Sequence, residues 1–207
     1  MAAAGGPVVV KLGGSFAFSP HLRAWIEALA ACGGHAVIVP GGGPFADTVR
    51  DAQTKVGFDD KAAHAMALLA MEQYGLALAS LDGRLVPAAS LDAIDGALER
   101  GRVPVWLPAR LALEATDIAP SWDTTSDSLA AWLAGKIGAR RLFLVKHVEL
   151  QGRRVRADEL VSAGVVDKEF VRHLLTCAAA AFILGACDHA AGTAAIRNGA
   201  AAGIAVE

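Results

Sequence analysis

The sequence predicts an α/β fold in which a mostly parallel sheet is covered by helices on both faces. Short runs that are almost entirely apolar recur along the chain, as in strands that are buried on both faces of a parallel sheet. Segments of helical period lie between these runs, and this alternation is typical of parallel α/β sheets. With 207 residues, of which 54% are hydrophobic and 19% charged, the chain is long enough to bury one large core in a single domain.

The first two predicted strands flank a predicted helix. Apolar runs at 8–12, broken by Lys11, and at 36–39 predict the strands. Between them, Ser19 and Pro20 suit the N-cap and the first position of a helix, and apolar residues recur at i, i+3, i+4 and i+7 from Leu22.

The rest of the chain continues the alternation. Pro104 indicates that the strand at 103–107 starts late or lies where one amide is not needed. The other predicted elements are helices at about 44–57 and 61–81, the second with Ala62, Met66, Leu69 and Ala70 facing inward, a helix at 127–137, a strand at 141–146, a helix at 168–178, and strands at 181–184 and 203–206.

Charge and composition favour a small-molecule partner. The formal net charge is -2, and the arginines are scattered apart from a short run at 153–156, so the sequence lacks the basic surface of a nucleic-acid-binding protein. Its longest apolar stretches are shorter than a membrane span, and the opening residues lack the pattern of a signal peptide. We therefore expect a cytoplasmic protein that binds neither nucleic acid nor membrane.

The cysteines and histidines form no recognisable metal-binding pattern. Cys32, Cys177 and Cys187 are an odd number without metal-type spacing, which predicts reduced thiols in the core. We expect no protein-built metal site.

Two glycine-rich turns each follow an early strand and precede a helical segment. The first turn contains Lys11, Gly13, Gly14 and Ser15, so a cation and free amides could hold a transferring phosphoryl group. A solvated lysine beside an ordinary turn is the alternative. Parallel α/β sheets bind ligands at this edge, where strands end and helices begin.

The second turn contains three consecutive glycines, Gly41, Gly42 and Gly43, before Pro44. Three glycines are costly in conformational entropy, and the close approach of a ligand to the backbone explains them better than turn geometry does. Neither turn matches the dinucleotide-binding or P-loop pattern. Two anion sites at neighbouring strand ends favour in-line phosphoryl transfer between two anionic groups.

A third motif precedes the helix predicted at 127–137. Ser126 suits its N-cap, and Asp127 lies in its first turn. Asp127 is either part of the transfer site or a complement to the helix dipole.

These three motifs in this order, K-L-G-G-S, P-G-G-G-P and T-S-D-S-L-A-A, resemble the amino acid kinase superfamily over nearly the whole chain. The superfamily includes acetylglutamate, aspartate and uridylate kinases. The resemblance implies a three-layer α/β/α sandwich that uses ATP and Mg²⁺, with an acceptor-binding lobe at about 1–120 and a nucleotide-binding lobe at about 121–207.

The resemblance also implies roles for individual residues. Lys11 stabilises the transferring phosphoryl group, and Asp127 orients lysine side chains rather than acting as a base. The implied nucleotide-binding residues are Gly13, Gly14, Ser15 and Lys146. The implied acceptor-binding residues are Gly41, Gly42, Gly43 and His64, although His64 could instead be a packing or surface residue.

The sequence departs from the family pattern in two places. The D-G-[VI]-Y stretch of most members is replaced here by residues 148–152, which affects the expected contacts to adenine. The second transition-state lysine of several members has no certain counterpart. Lys168 lies in about the right region, with a solvated helix start as its alternative role. Gly192 and Thr193 resemble a late G-T pair of the family.

The stretches at 41–50 and 62–75 resemble a narrower group, the kinases that convert aminomethylfuranyl-methyl phosphate to its diphosphate in methanofuran-type cofactor biosynthesis. If the acceptor carries a phosphate, Arg50, Lys55 or Lys61 could clamp it, unless these are solvated helix charges. The alternatives are a carboxylate kinase that forms an acyl phosphate, a non-catalytic relative that binds a nucleotide or an oxyanion, and, least supported, a dinucleotide-binding oxidoreductase. We expect a homo-oligomer.

Overall fold

The computed structural model describes residues 6–148 and 151–207 and contains one mixed sheet of eight strands. The strands are Val8–Leu12 (β1), Ala36–Pro40 (β2), Leu85–Ala88 (β3), Val103–Trp106 (β4), Arg141–Val145 (β5), Arg154–Val155 (β6), Ala180–Leu184 (β7) and Ile204–Val206 (β8). Their order across the sheet is β3-β4-β2-β1-β5-β7-β8-β6. The strand pairs are parallel except for β7 with β8, which confirms the predicted mostly parallel sheet.

Helices cover both faces of this sheet. They are Leu22–Ala30 (α1), Gly43–Val56 (α2), Asp60–Ser80 (α3), Leu91–Glu99 (α4), Ala109–Glu114 (α5), Ser126–Lys136 (α6), Ala157–Ser162 (α7), Phe170–Thr176 (α8) and His189–Asn198 (α9). Alternate residues of β1 point to opposite faces: Val10 lies in one apolar cluster with Trp25 of α1, whereas Val9 lies in another with Leu133 of α6 and Phe170 of α8. The three-layer α/β/α arrangement is thus confirmed.

The strand register brings three chain segments to one edge of the sheet. Leu12, the last residue of β1, is paired with Pro40 at the end of β2 and with Val145 at the end of β5. The two glycine turns and Lys146 therefore leave the sheet side by side.

Two predicted helices differ from the structure in detail. Helix α1 begins at Leu22 rather than Pro20, because Ser19 Oγ accepts a hydrogen bond from the His21 amide at 3.2 Å and stabilises a preceding turn instead. In α3, Met66 and Leu69 are 39% and 49% exposed rather than facing inward.

Helix α3 buries only part of the face that was predicted: Ala70 is buried as expected, but most of the buried positions are others. Its buried positions include Ala63, Leu68, Met71 and Tyr74, while Ala62 is half-buried. The helix is rich in alanine and apolar on several sides, so the sequence period does not determine which side is buried.

Six elements have no predicted counterpart: β3, α4, α5, β6, α7 and α9. Strand β6 has only two residues and α5 only six, too few to show a period. Helix α4 did carry a readable start signal, since Ser90 caps it by accepting from the Ala93 amide.

The three cysteines are free thiols, but Cys32 alone is buried, while Cys177 is half-buried and Cys187 is exposed. The prediction of three core thiols is therefore wrong for Cys187, which follows β7 at the sheet edge. In the described part of the chain, no helix is long and apolar enough to cross a membrane.

Candidate active site

Two lysines and one aspartate meet where β1 and β5 end. Lys11 Nζ lies 2.8 Å from Asp127 Oδ1, and Lys146 Nζ lies 2.7 Å from Asp127 Oδ2. All three side chains are largely buried: Lys11 and Asp127 are each 6% exposed, and Lys146 is 13% exposed. One carboxylate thus bridges two ammonium groups, which leaves one positive charge in excess.

The protonation states follow from burial and from the neighbouring charges. Burial would raise the pKa of Asp127, but the charges of Lys11 and Lys146 outweigh it and hold that pKa below its usual value. Burial and the charge of Lys11 lower the pKa of Lys146 to about 8, against the attraction of Asp127. At neutral pH Asp127 is therefore a carboxylate, and Lys146 is still mostly an ammonium group.

The sheet and helix α6 position these groups. Lys11 belongs to β1 and Lys146 directly follows β5, its neighbour in the sheet. Asp127 lies in the first turn of α6, whose N-cap is Thr125 rather than the predicted Ser126. Lys146 Nζ also donates to the Val165 carbonyl oxygen at 2.5 Å.

The two glycine turns contact each other backbone to backbone. A Cβ on Gly14 would lie 2.2 Å from the Gly43 nitrogen, and a Cβ on Gly41 would lie 2.2 Å from the Gly14 nitrogen. Gly43 also has a positive φ of 54°. These glycines are required by turn-to-turn packing, a reason that differs from the ligand approach expected from the sequence.

Gly13 differs from these glycines. A Cβ there would be no closer than 3.4 Å to any atom, and 3.6 Å from Lys11 Nζ. Gly13 therefore faces the lysine and leaves space in front of its ammonium group. Ser15 is exposed in the 3-10 turn that follows.

A cavity of about 180 Å³ lies between α2, α3 and the loop at 121–126, and Gly42, His64 and Thr124 contribute to its lining. Burial lowers the pKa of His64, so this imidazole is neutral at pH 7. Thr124 Oγ1 is buried without a hydrogen-bond partner. The cavity thus offers a neutral imidazole and an unused hydroxyl.

Arg50 and Trp122 stand at the rim of this cavity. The Arg50 guanidinium lies 4.3 Å from the centre of the Trp122 ring, and Trp122 Nε1 donates to Gln53 Oε1 at 2.6 Å. Of the three basic residues considered as phosphate clamps, Arg50 lines the cavity, whereas Lys55 and Lys61 are exposed outside its lining. No sequence pattern indicates Trp122, because its position depends on contacts with Arg50 and Gln53 of α2.

A second cavity, of about 480 Å³, lies beyond the ends of β5 and β7, with His21, His147, Gly185 and Asp188 in its lining. The His147 ring lies 4.0 Å from that of Phe16, and the Gly185 amide donates to Asp188 Oδ2 at 2.8 Å. In the altered stretch at 148–152, residues 149 and 150 lie outside the described part of the chain, while Val148 and Gly152 line this cavity.

Lys168 is not part of the lysine and aspartate cluster. Its ammonium pairs with Asp123 at 2.8 Å, and its side chain is 72% exposed. The lysine that shares Asp127 with Lys11 is Lys146. The late pair Gly192 and Thr193 lies inside α9, where a Cβ on Gly192 would lie 3.1 Å from the Trp25 ring, so this glycine permits close packing.

Comparisons with known proteins agree with this architecture. The chain is 29% identical over 144 residues to the (5-(aminomethyl)furan-3-yl)methyl phosphate kinase of Methanocaldococcus jannaschii, a match that covers 68% of this chain and 66% of the relative, just under two thirds.

Among solved structures, uridylate kinase from Archaeoglobus fulgidus aligns with a TM-score of 0.74 at 18% identity, covering 97% of this chain and 100% of that one. The isopentenyl phosphate kinase of T. acidophilum aligns with a TM-score of 0.62 at 13% identity, over 97% and 100% of the two chains. These two likenesses show the shared fold.

A family model gives the broader assignment. The model described as the amino acid kinase family matches residues 6–150, which is more than half of the chain and includes Lys11, Asp127, Lys146 and both glycine turns. This chain therefore belongs to the amino acid kinase family.

Proposed function

We propose that this protein is an ATP-dependent kinase that transfers the γ-phosphoryl group to the phosphate of a small monoester, with aminomethylfuranyl-methyl phosphate as the acceptor. The observation that carries the proposal is the Asp127 carboxylate held between Lys11 and Lys146 beside two packed glycine turns. This arrangement gives a buried excess positive charge where two phosphates can meet, and phosphoryl transfer depends on such charge neutralisation.

The reaction needs no general base. A phosphate monoester has its second pKa near about 6, so at neutral pH its oxygen is already deprotonated. That oxygen attacks the γ-phosphorus of ATP, the bond from this phosphorus to the β–γ bridging oxygen breaks, and ADP leaves with the bonding electrons. Lys11 and Lys146 neutralise charge on the transferring group, while Asp127, with both oxygens on lysines, orients them.

The cavity at α2 and α3 is proposed to hold the acceptor. Its volume of about 180 Å³ is smaller than the roughly 300 to 1,000 Å³ of sites for drug-sized ligands, which favours an acceptor smaller than a nucleotide. The unused Thr124 hydroxyl and His64 could bind polar acceptor atoms, and Gly42 joins the cavity to the glycine turns. The name of the 29% identical relative supports the same acceptor.

The nucleotide is proposed to lie on the other side of the lysine pair. Gly13, Gly14 and Ser15 would face its phosphates together with Lys146, and the cavity beyond β5 and β7 would hold the rest. The division into an acceptor lobe at about 1–120 and a nucleotide lobe at about 121–207 stays a proposal, in which the glycine turn at 13–15 would contact the nucleotide and the loop at 121–126 lines the acceptor cavity.

The expected Mg²⁺ ion is proposed to bind together with the nucleotide. Among the described residues, no group of three His, Cys, Asp or Glu residues could hold a metal ion, and both oxygens of Asp127 are engaged by lysines. We propose that Mg²⁺ enters on the phosphates of the nucleotide.

The test is ADP release measured with a coupled assay, with ATP, magnesium and aminomethylfuranyl-methyl phosphate. We expect turnover that requires the acceptor, and a loss of roughly 10²- to 10³-fold in kcat for Lys11→Ala. Lys61→Ala, an exposed lysine outside the cavity, is the matched control and should retain wild-type kcat. Equal loss in both variants, or ADP release that does not depend on the acceptor, would contradict the proposal.

Acceptor profiling separates this proposal from its alternatives. UMP, isopentenyl phosphate and N-acetylglutamate should react poorly if a small aminomethylated phosphate is the acceptor. An acyl phosphate product would be trapped by hydroxylamine, whereas a diphosphate would not, so trapping would favour the carboxylate kinase. ATP binding without turnover on any acceptor would favour a non-catalytic relative. A homo-oligomer in the cytoplasm stays a prediction.

A further inference from the structure

Asp167 contacts the start of helix α6 from a distant part of the chain. We propose that Asp167 is a positioning residue, which holds Asp127 and the acceptor-lining loop in place for phosphoryl transfer. The inference rests on the proposed function and concerns a residue outside the matched family region at 6–150.

The carboxylate of Asp167 accepts four hydrogen bonds, two from Thr125, the N-cap of α6, and two from Ser128 in its first turn. Its Oδ2 accepts from the Thr125 amide at 2.9 Å, from the Thr125 hydroxyl at 2.7 Å and from the Ser128 amide at 3.0 Å. Its Oδ1 accepts from the Ser128 hydroxyl. These bonds use amides that α6 itself leaves unpaired at its first turn.

Helix α6 depends on this remote carboxylate for its cap. Thr125 occupies the N-cap position, but its side chain makes no capping bond to the helix, and its hydroxyl donates to Asp167. A negative charge at this end of the helix is also favoured by the helix dipole. Asp167 therefore acts as the capping group that Thr125 does not provide.

The same short segment also contacts the other half of the site. The Val165 carbonyl oxygen accepts from Lys146 Nζ at 2.5 Å, and Val166 between them is 4% exposed in the core. Residues 165–167 thus contact Lys146 directly and Asp127 through the first turn of its helix. The geometry of the Lys146 and Asp127 pair is therefore set in part by one three-residue segment, whose middle residue Val166 is buried.

A loss of Asp167 should affect transfer more than nucleotide binding. Asp127 lies between Thr125 and Ser128, so a shift of this turn would move the carboxylate that orients both lysines. A displacement of about 1 Å at a transfer site can cost roughly 100-fold in rate. The nucleotide cavity beyond β5 and β7 has none of these residues in its lining.

The test compares Asp167→Ala, Asp167→Asn and Lys168→Ala. An asparagine can place its amide oxygen where Oδ2 accepts three bonds and its NH₂ where Ser128 Oγ can accept. We expect Asp167→Ala to lower kcat by roughly 10- to 100-fold with an unchanged KM for ATP, and Asp167→Asn to restore most of it. Lys168→Ala, the adjacent residue paired at the surface with Asp123, is the control and should match the wild type.

Hydrogen exchange gives a readout that does not require turnover. Amides in a peptide that contains 125–128 should exchange faster in Asp167→Ala than in the wild type and in Lys168→Ala. Unchanged exchange, or a kcat of Asp167→Ala within threefold of the wild type, would overturn the inference. No turnover by the wild type would refute the kinase proposal instead, and the exchange data would still decide whether Asp167 holds this turn.

Discussion

Asp127→Asn removes the charge that holds two buried ammonium groups together while it keeps the size of the side chain. In the wild type, Lys11 and Lys146 each lie within 2.8 Å of a different oxygen of Asp127. The asparagine would present one oxygen and one NH₂ group in the same place. One of the two lysines would then face a donor rather than an acceptor.

The size of the effect follows from these distances. Two like charges about 4 Å apart repel by about 4 kcal/mol at an effective dielectric constant of about 20. Without the carboxylate no negative charge offsets this repulsion, so the pKa of Lys146, already lowered to about 8, falls further. Lys146 would then be neutral at pH 7.5, and the loss of one charged donor lowers kcat by roughly 10²- to 10³-fold.

The assay is ADP release at saturating ATP and acceptor, together with calorimetric titration of ATP. We expect kcat to fall as above while ATP still binds, since Lys11 remains. Retention of kcat within threefold would refute the orienting role of Asp127. A rate of the variant that rises with pH, as hydroxide replaces a missing base, would instead indicate that Asp127 acts as a base.

Four further variants test other parts of the site. Gly14→Ala places a Cβ 2.2 Å from the Gly43 nitrogen. It should destabilise the fold by about 1 to 3 kcal/mol and lower Tm by roughly 3 to 10 °C in a melting experiment. Gly13→Ala has room for its Cβ, so it should have the Tm of the wild type but a lower kcat. In the wild type, kcat/KM should fall above pH 8, because Lys146 loses its proton as the pH passes its pKa of about 8. In Lys146→Arg this fall should disappear, because the guanidinium stays charged, while the maximal kcat/KM should be lower. An unchanged fall of kcat/KM above pH 8 in the variant would show that another group titrates. Thr124→Val removes a buried hydroxyl without a partner, so it should raise the acceptor KM by roughly tenfold or more without loss of Tm, and an unchanged KM would remove Thr124 from the acceptor site.

The fold could be predicted from the sequence wherever an element is long and buried. Strands β1, β2, β5 and β7 are apolar because both faces are covered, and this pattern is visible without any knowledge of the partners. The face of α3 could not be predicted, since its apolar residues surround the helix and the choice depends on packing against the sheet and α2. Short edge elements such as β6 are defined by their partners rather than by their own residues.

The residues of the candidate site that could be predicted are those in short motifs that follow a strand or begin a helix. Lys11 and Asp127 carry a local signal, but the pairing of Asp127 with Lys146 spans 19 residues, and its support by Asp167 spans 40. The exposed Lys168 was considered as the second lysine because chain position alone cannot distinguish it from Lys146. The sheet order determines which lysine shares Asp127 with Lys11, because it places β5, and with it Lys146, directly beside β1.

The two lysines and the proposed acceptor cavity are held by different parts of the fold. Lys11 and Lys146 leave adjacent strands whose separation is fixed by backbone hydrogen bonds at about 4.8 Å, so the charge that the transfer step requires is held by the sheet. The acceptor cavity is instead lined by helices and the loop at 121–126, with Trp122 and Arg50 at its rim. Substitutions at the strand ends should therefore lower kcat for every acceptor, whereas substitutions at the rim should change which acceptor is used. Trp122→Ala beside Lys11→Ala, each measured on several phosphate monoesters, would separate these effects, and a uniform loss of kcat in Trp122→Ala across all acceptors would contradict the division.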